Sequence, residues 1–259
     1  MTDALLLLAT TNDRKLIRRV VDLAGLSGGE RSLSSDGAFG AALFASSVEV
    51  LHQRAPLAAG QPLDSFIDPG VRASRLMAVG DGHEQPFVPH RTQPFRYKGW
   101  VFGMVGDTPP ASQPTASERE EDFVRQIGGL AGPVQLLMAR VVYRLQRATQ
   151  GTQEPDARAI VNALTDATSG LQGFERFAVA VTHEAQSVVI ARQIPVAYRG
   201  VSGRTRSATL DPSEAAAIQH LRGTVVVAGR APRHPDFRLL GADQALVVNE
   251  LPPAQTVAV

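Results

Sequence analysis

The sequence predicts an α+β fold in which antiparallel β-sheets pack against each other and are covered by helices. Short apolar or β-branched runs, typical of strands, occupy both ends of the chain, and three helical patterns lie between them. A doubly wound parallel sheet would instead alternate strands and helices along the whole chain. The chain also starts with an apolar run typical of a buried strand, and 44% of its 259 residues are hydrophobic, enough for a large core.

The first hundred residues predict buried strands joined by one helix and two long loops. Thr11 or Asn12 is expected to cap the helix, and apolar residues continue at helical spacing to Leu23. Residues 80–99 predict a loop rich in Pro, His and charged groups, and long loops between core strands are often functional. The predicted strands of this part are 4–9, 41–45, 48–51, 75–79 and 100–105.

The rest of the chain predicts three helices followed by four strands. A Pro-rich connection near 108–116 is the candidate for an internal boundary in a chain that otherwise predicts a single domain over 1–259. One further short helix is expected after the helix-start sequence DPSE at 211–214. The predicted helices are 117–130, 134–149 and 156–171, and the predicted strands are 177–182, 187–191, 224–228 and 245–248.

Composition and charge exclude several classes of function. The chain has 26 Lys and Arg residues against 25 Asp and Glu, and a net charge of +1 argues against a nucleic-acid-binding protein. Without cysteine it has no disulfides, thiolate metal sites or thiol nucleophiles. No apolar segment approaches the roughly 20 residues of a membrane helix and no secretory signal is recognisable, so a cytoplasmic protein with no membrane partner is expected.

Motifs for cofactors and metals are missing from the sequence. It contains no glycine-rich phosphate or dinucleotide motif, no nucleophile elbow and no H-E-x-x-H, so no cofactor is expected. His83 and His90 share the 80–99 loop with Asp81 and Glu84, which permits a metal or acid–base site. Ordinary surface histidines are the simpler interpretation, and no metal site is predicted.

A basic cluster follows the first predicted strand. It consists of Arg14, Lys15, Arg18 and Arg19, and a solvated helix face is its simplest interpretation. A basic helix face can also meet phosphates or acidic partners. The Arg-rich stretch at 199–206 likewise points to acidic partners without naming one.

The most specific pattern in the chain lies in residues 90–107, HRTQPFRYKGWVFGMVGD. It resembles the block of class II glutamine amidotransferase domains that reads N-T-H-P-F, a short turn and W-x-F-x-H-N-G. The buried N-terminal strand, the helices and the TVVVAGRAP stretch at 224–232 are similar to the same family, so the resemblance covers nearly the whole chain. The matching residues are Thr92, Pro94, Phe95, Trp100, Phe102 and Gly106. Core packing explains the first five, so their match supports the fold rather than the activity.

This resemblance implies the N-terminal-nucleophile hydrolase fold, a four-layer αββα sandwich of two mainly antiparallel sheets between helical layers. In that family, removal of the initiator Met exposes a Cys whose thiol attacks the side-chain amide of glutamine. Its own α-amine, with a pKa of about 8, acts as general base. Here the second residue is Thr2. Threonine is the nucleophile of other enzymes with this fold, but this family uses cysteine.

Other departures fall on positions to which the resemblance assigns catalysis. Val105 replaces the Asn that would bind the tetrahedral oxyanion, and losing one such donor costs on the order of 3 kcal/mol. The backbone N–H of Gly106 would keep half of that oxyanion hole. Gln93 replaces the His of T-H-P-F. The Arg that holds the substrate carboxylate aligns with residues 78–81 (AVGD), and the acidic residue for the substrate amine aligns at best with Glu118.

Three hypotheses for function follow. Because nucleophile, oxyanion donor and carboxylate anchor have changed together, the first is a catalytically inactive amidotransferase-like protein that binds another protein, with Arg91, Arg96 and Tyr97 of the 80–99 loop as the binding residues. An alternative is an amide hydrolase that uses Thr2 on a substrate other than free glutamine. A third is a sensor that holds a small amide or amino acid in the old pocket.

Overall fold

A computed structural model of the chain describes residues 5–24, 26, 39–44, 50–54, 72–80, 93–110, 117–128, 132–149, 155–183, 186–204, 211–229, 235–249 and 254–259. Within these residues, strands and helices form an α+β sandwich of two antiparallel sheets, as predicted. Both sheets combine strands from before and after residues 108–116. No helix in the described ranges is long and apolar enough to cross a bilayer.

The elements are numbered in chain order. The strands are β1 (Leu5–Thr11), β2 (Phe39–Phe44), β3 (Val50–Arg54), β4 (Arg75–Gly80), β5 (Phe95–Tyr97), β6 (Trp100–Gly106), β7 (Phe177–His183), β8 (Gln186–Arg192), β9 (Val196–Ser202), β10 (Arg222–Ala228), β11 (Arg238–Leu239), β12 (Gln244–Asn249) and β13 (Gln255–Ala258). The helices are α1 (Ile17–Leu23), α2 (Glu118–Gly128), α3 (Pro133–Ala148), α4 (Ala157–Thr168) and α5 (Pro212–Ile218).

The first sheet has β1 at its centre. Its strand order is β11-β9-β10-β1-β4-β2-β3, and β1 pairs antiparallel with both β10 and β4. Leu5, Leu7 and Ala9 pack beneath α1, whereas Leu6 and Leu8 face the second sheet. Because both faces of β1 are buried, its sequence is apolar at every one of these positions rather than alternating. The predicted central N-terminal strand is therefore confirmed.

Helices cover both outer faces of the sandwich, so the protein has the four layers of an αββα arrangement. The second sheet has the order β13-β12-β8-β7-β6-β5. Apolar residues of α1 and α5 pack on the outer face of the first sheet, and those of α3 and α4 pack on the outer face of the second. A third cluster fills the space between the sheets. This arrangement confirms the fold implied by the sequence resemblance.

The two sheets approach each other closely at Gly103 in β6. A Cβ atom at this position would lie 2.7 Å from Val79 Cγ2 and 2.9 Å from Met77 Sδ, both in β4 of the first sheet. Gly103 therefore leaves room for larger side chains of the opposite sheet, and it shows that β6 packs directly against β4.

Several local features differ from the sequence prediction. Asp13, rather than Thr11 or Asn12, caps the first helical turn, because its side chain accepts a hydrogen bond from Lys15 N (3.0 Å). That turn is a short 3₁₀ segment before α1. The predicted 80–99 loop contains β5 near its end, and β9, β11 and β13 were not predicted. These strands are short or carry polar residues, and they are determined by pairing: β5 with β6, β9 with β10, β11 with β9, and β13 with β12.

Candidate functional site

The candidate site lies at the end of the sandwich where β1 begins, because the resemblance places the nucleophile just before that strand. Leu5, the first residue of β1, lies opposite Gly80, the last residue of β4. Leu6 lies opposite Ala228, the last residue of β10. The start of β1 is thus flanked on both sides by strands that end there. Thr2, the candidate nucleophile, lies outside the described residues.

Gly106, the second candidate catalytic residue, lies at this same end of the molecule. Ala228 pairs with Val196, the first residue of β9. Ile194, two residues before Val196, packs against the cluster between the sheets. A Cβ atom at Gly106 would lie 2.6 Å from Ile194 Cδ1. The end of β6 and the start of β1 therefore lie at the same end of the sandwich.

The conformation and surroundings of Gly106 both require glycine. Its φ of +110° is one that other residues rarely adopt. A Cβ atom there would overlap the carbonyl oxygen of Arg176 and lie 2.8 Å from Phe177 Cα. Packing of β6 against the start of β7 thus accounts for glycine at this position without any catalytic role.

Asp107, which the sequence analysis did not single out, fixes the end of β6. Its N–H donates to the Arg176 carbonyl (2.7 Å), and its Oδ2 accepts from the N–H groups of Glu175 (3.1 Å) and Arg176 (2.8 Å). The carboxylate therefore ties the end of β6 to the segment before β7. An Asp directly after a glycine at a strand end was the sequence signal for such an anchor.

Val105 occupies the position that the resemblance gives to the oxyanion-binding Asn. Its side chain is 3% exposed and belongs to the cluster between the two sheets, together with Leu6 and Val79. An isopropyl group has no hydrogen-bond donor, and this one is directed into the apolar core. The side chain at position 105 therefore offers no hydrogen-bond donor to an oxyanion.

Gln93, at the position of the family's His, has a structural role. Its side-chain Nε2 donates to the Met104 carbonyl (2.9 Å), and its Oε1 accepts from the Met104 N–H (2.7 Å). The amide thus reproduces a backbone pairing and extends the β5–β6 ladder by two residues, since Phe95 lies opposite Phe102 and Gln93 is in register with Met104. The Gln93–Pro94 peptide bond is cis.

The candidate binding residues lie at the other end of β6. Arg96 is exposed and lies opposite Val101, so Gly106 is five residues, about 17 Å, further along the strand. Tyr97 packs edge-on against Phe123 of α2, with ring centroids 6.1 Å apart. The structure thus brings Tyr97 and Phe123 of α2 together, beside the end of β6 that lies away from Gly106.

The remaining predicted residues are placed as follows. Glu118 is exposed in the first turn of α2, whose contact with Tyr97 is made by Phe123 instead. Arg91, His83 and His90 lie outside the described residues. Among the residues that are described, no group of three His, Asp or Glu side chains is placed to hold a metal ion.

Comparison with known proteins relates this fold to solved structures. No protein-family model matches the chain, and no curated protein matches it. A glutamine aminotransferase class-II domain protein from Silicibacter pomeroyi is 13% identical with a TM-score of 0.52, over 98% of both chains. A protein from Pseudomonas aeruginosa described as a predicted glutamine amidotransferase is 13% identical with a TM-score of 0.55, over 95% of this chain and 97% of that one.

A longer protein contains the same fold. Glutamine phosphoribosylpyrophosphate amidotransferase from B. subtilis is 11% identical with a TM-score of 0.53, and the match covers 98% of this chain but 49% of that one. The chain therefore spans about half the length of that enzyme. Together these structures show that the chain has the N-terminal-nucleophile hydrolase fold of class II glutamine amidotransferase domains.

Proposed function

We propose that this chain is a glutamine amidotransferase-like protein that does not hydrolyse glutamine and acts instead as a protein-binding or regulatory module. The observation that carries the proposal is the burial of Val105 between the two sheets. An oxyanion hole needs donors aimed at the developing negative charge. An apolar side chain packed in the core supplies none.

The substrate-binding side of the same edge supports this proposal. The family's carboxylate-binding Arg aligns with residues 78–81, and Gly80 ends β4 directly opposite the start of β1. Glycine has no side chain to hold a carboxylate, and the next residue in the sequence, Asp81, carries the same charge as the substrate group. At Gly80 a glutamine carboxylate would therefore find no side-chain cation where the family offers an anchor.

Gly106 does not argue against the proposal. Its retention is the strongest match to the catalytic block, but its positive φ and its contact with the Arg176 carbonyl already require glycine. The residues needed for packing are thus the same as in the family, whereas the nucleophile, the oxyanion donor and the carboxylate anchor differ. This combination is expected when the fold is kept for binding.

The strand β5 supplies a surface suited to a protein partner. It is the edge strand of the second sheet, and its residue Arg96 is exposed, as is the following Lys98. The Lys98 Nζ lies 5.4 Å from the centre of the Tyr97 ring. Arg and Tyr side chains are enriched among the residues that dominate binding energy at protein interfaces. We infer that the partner presents acidic groups to this edge.

The catalytic part of the proposal is tested by measuring ammonia release from glutamine with wild-type protein and the Thr2→Ala variant. We expect both to match the buffer background. Turnover that is present in the wild type and absent from Thr2→Ala would overturn the proposal and support the amide hydrolase. Intact-mass analysis complements the assay, because retention of Met1 would leave Thr2 without a free α-amine.

The binding part is tested by affinity capture with wild type, Arg96→Ala and a matched control, Arg147→Ala. Arg147 is also exposed but lies at the end of α3. We expect Arg96→Ala to weaken capture of a specific partner by about 1–3 kcal/mol and Arg147→Ala to have no effect. Tyr97→Ala is a poorer probe because it also removes the packing on Phe123. An identical set of captured proteins for all three would contradict an interface at β5.

A further inference from the structure

A second site lies at the opposite end of β1 from the candidate catalytic edge. A cleft of about 560 Å³ opens directly after this strand, between the first helical turn, the segment before β4 and the turn between α5 and β10. β1 has seven residues and is about 20 Å long, so the cleft is well separated from the start of the strand. Its volume is within the range of pockets that hold small molecules.

The walls of the cleft are cross-linked by hydrogen bonds. The side chain of Asn12 is hydrogen-bonded to the turn between α5 and β10. It donates to the His220 carbonyl (2.9 Å) and accepts from the Arg222 N–H (2.7 Å). The segment before β4 is joined to the first helical turn through Ala73, whose N–H donates to the Arg14 carbonyl (2.9 Å). The three walls therefore form a preorganised frame, which lowers the entropy lost when a ligand binds.

The lining of the cleft is strongly cationic. Arg14, Lys15 and Arg72 all line it and are all exposed, and within the described residues none of their side chains forms a hydrogen bond or ion pair. Among the described lining residues the one carboxylate belongs to Asp13, and it accepts a hydrogen bond from the Lys15 N–H as a helix cap. Three positive charges thus face one negative charge across a concave surface.

We propose that this cleft binds a small molecule that carries a phosphate group. Arg presents a planar fork of donors that matches phosphate oxygens, and a lysine ammonium adds charge. His220 also lines the cleft, and an imidazole carries a further hydrogen-bonding nitrogen. Ala217 and Leu221 provide apolar wall for an organic part of the ligand. A concave site favours such a ligand over an acidic protein surface, which needs a wider and flatter contact.

The proposal goes beyond the function proposed above and does not depend on it. The cationic groups come from two segments that are far apart in the sequence, the first helical turn and the segment before β4, whereas a solvated helix face would place them on one element. Of the basic cluster predicted after the first strand, Arg14 and Lys15 line the cleft together with Arg72. Arg72 was not part of that cluster and joins it through the pairing of β4 with β1.

Isothermal titration calorimetry of the full chain tests the site, with inorganic pyrophosphate, AMP and adenosine as probes. Arg72→Gln and Lys15→Gln each remove one charge from the cleft. Arg147→Gln is the matched control, because it removes an exposed charge from α3, which covers the other sheet. All the substituted side chains are exposed, and thermal unfolding confirms that each variant folds.

We expect pyrophosphate and AMP to bind the wild type while adenosine does not. Each cleft variant should bind about tenfold more weakly, the usual effect of losing one charge-assisted hydrogen bond, and the control should bind as the wild type does. Absence of binding of both phosphates at millimolar concentration would overturn the proposal. Equal weakening in all three variants would do the same, since it would reflect the overall charge. Charge-dependent binding of a hexaglutamate peptide without phosphate binding would assign the cleft to an acidic protein segment instead.

Discussion

Replacing Gly106 with Ala tests whether packing or catalysis accounts for this glycine. Two costs arise in the folded state. The φ of +110° strains any residue with a Cβ atom by about 1–2 kcal/mol. The new methyl group also overlaps the Arg176 carbonyl and approaches Phe177 Cα, and backbone atoms on neighbouring strands cannot move aside as a flexible side chain can. Overpacking of this kind costs about 1–3 kcal/mol, so the expected total is about 2–5 kcal/mol.

Gly173→Ala is the matched control for that measurement. Gly173 also has a positive φ, +71°, but a Cβ atom there would meet nothing within 4 Å. It should therefore lose only the conformational part, about 1 kcal/mol. The assay is urea denaturation of wild type and both variants. The free energies of unfolding are compared provided that the slope of free energy against urea concentration is the same for all three proteins. Equal losses in the two variants would refute the packing argument and return Gly106 to consideration as a residue kept for its N–H.

Further predictions concern three other side chains. Gln93→Ala should lower the free energy of unfolding by about 1–3 kcal/mol, because it removes two hydrogen bonds to Met104, and an unchanged urea midpoint would contradict this. Val105→Asn should restore no glutaminase activity and should cost about 2–4 kcal/mol, because it places an amide in the core between the sheets. A stable variant that releases ammonia from glutamine would show that this position faces the substrate. Hydrogen bonds from the Ser213 hydroxyl and N–H lower the pKa of the Asp211 carboxyl. Its cap on α5 should therefore stabilise the protein at pH values above the ordinary Asp pKa. This stabilisation should be lost as the pH falls through the lower pKa of the folded state. Urea midpoints of wild type and Asp211→Ala should therefore differ at neutral pH and converge in acid, and a constant difference would contradict the titration.

Much of the fold could be predicted from the sequence because it depends on local patterns. β1 is apolar at consecutive positions because both of its faces are covered, and that pattern is visible without a structure. Asp156 and Asp211 each begin a helix by accepting a hydrogen bond from a backbone N–H two or three residues later. β9 and β5 were missed because their residues are mixed in character, and pairing with a neighbouring strand makes them strands.

The kinds of chemical group available at the candidate site could be read from the sequence, because they depend only on which residue occupies each position. By the sequence resemblance, Thr2 and Val105 align with positions at which the family has a thiol and an amide, and these identities do not depend on the fold. The positions of these groups required the tertiary structure. Gly106, at the end of β6, lies near the start of β1, while Arg96 and Tyr97, close to it in sequence, lie in β5 beside the opposite end of β6. Arg72 joins Arg14 and Lys15 around one cleft across more than fifty residues of chain. Such neighbours arise from strand register and from the packing of one sheet on another, and both are set by contacts between distant segments that no local pattern records.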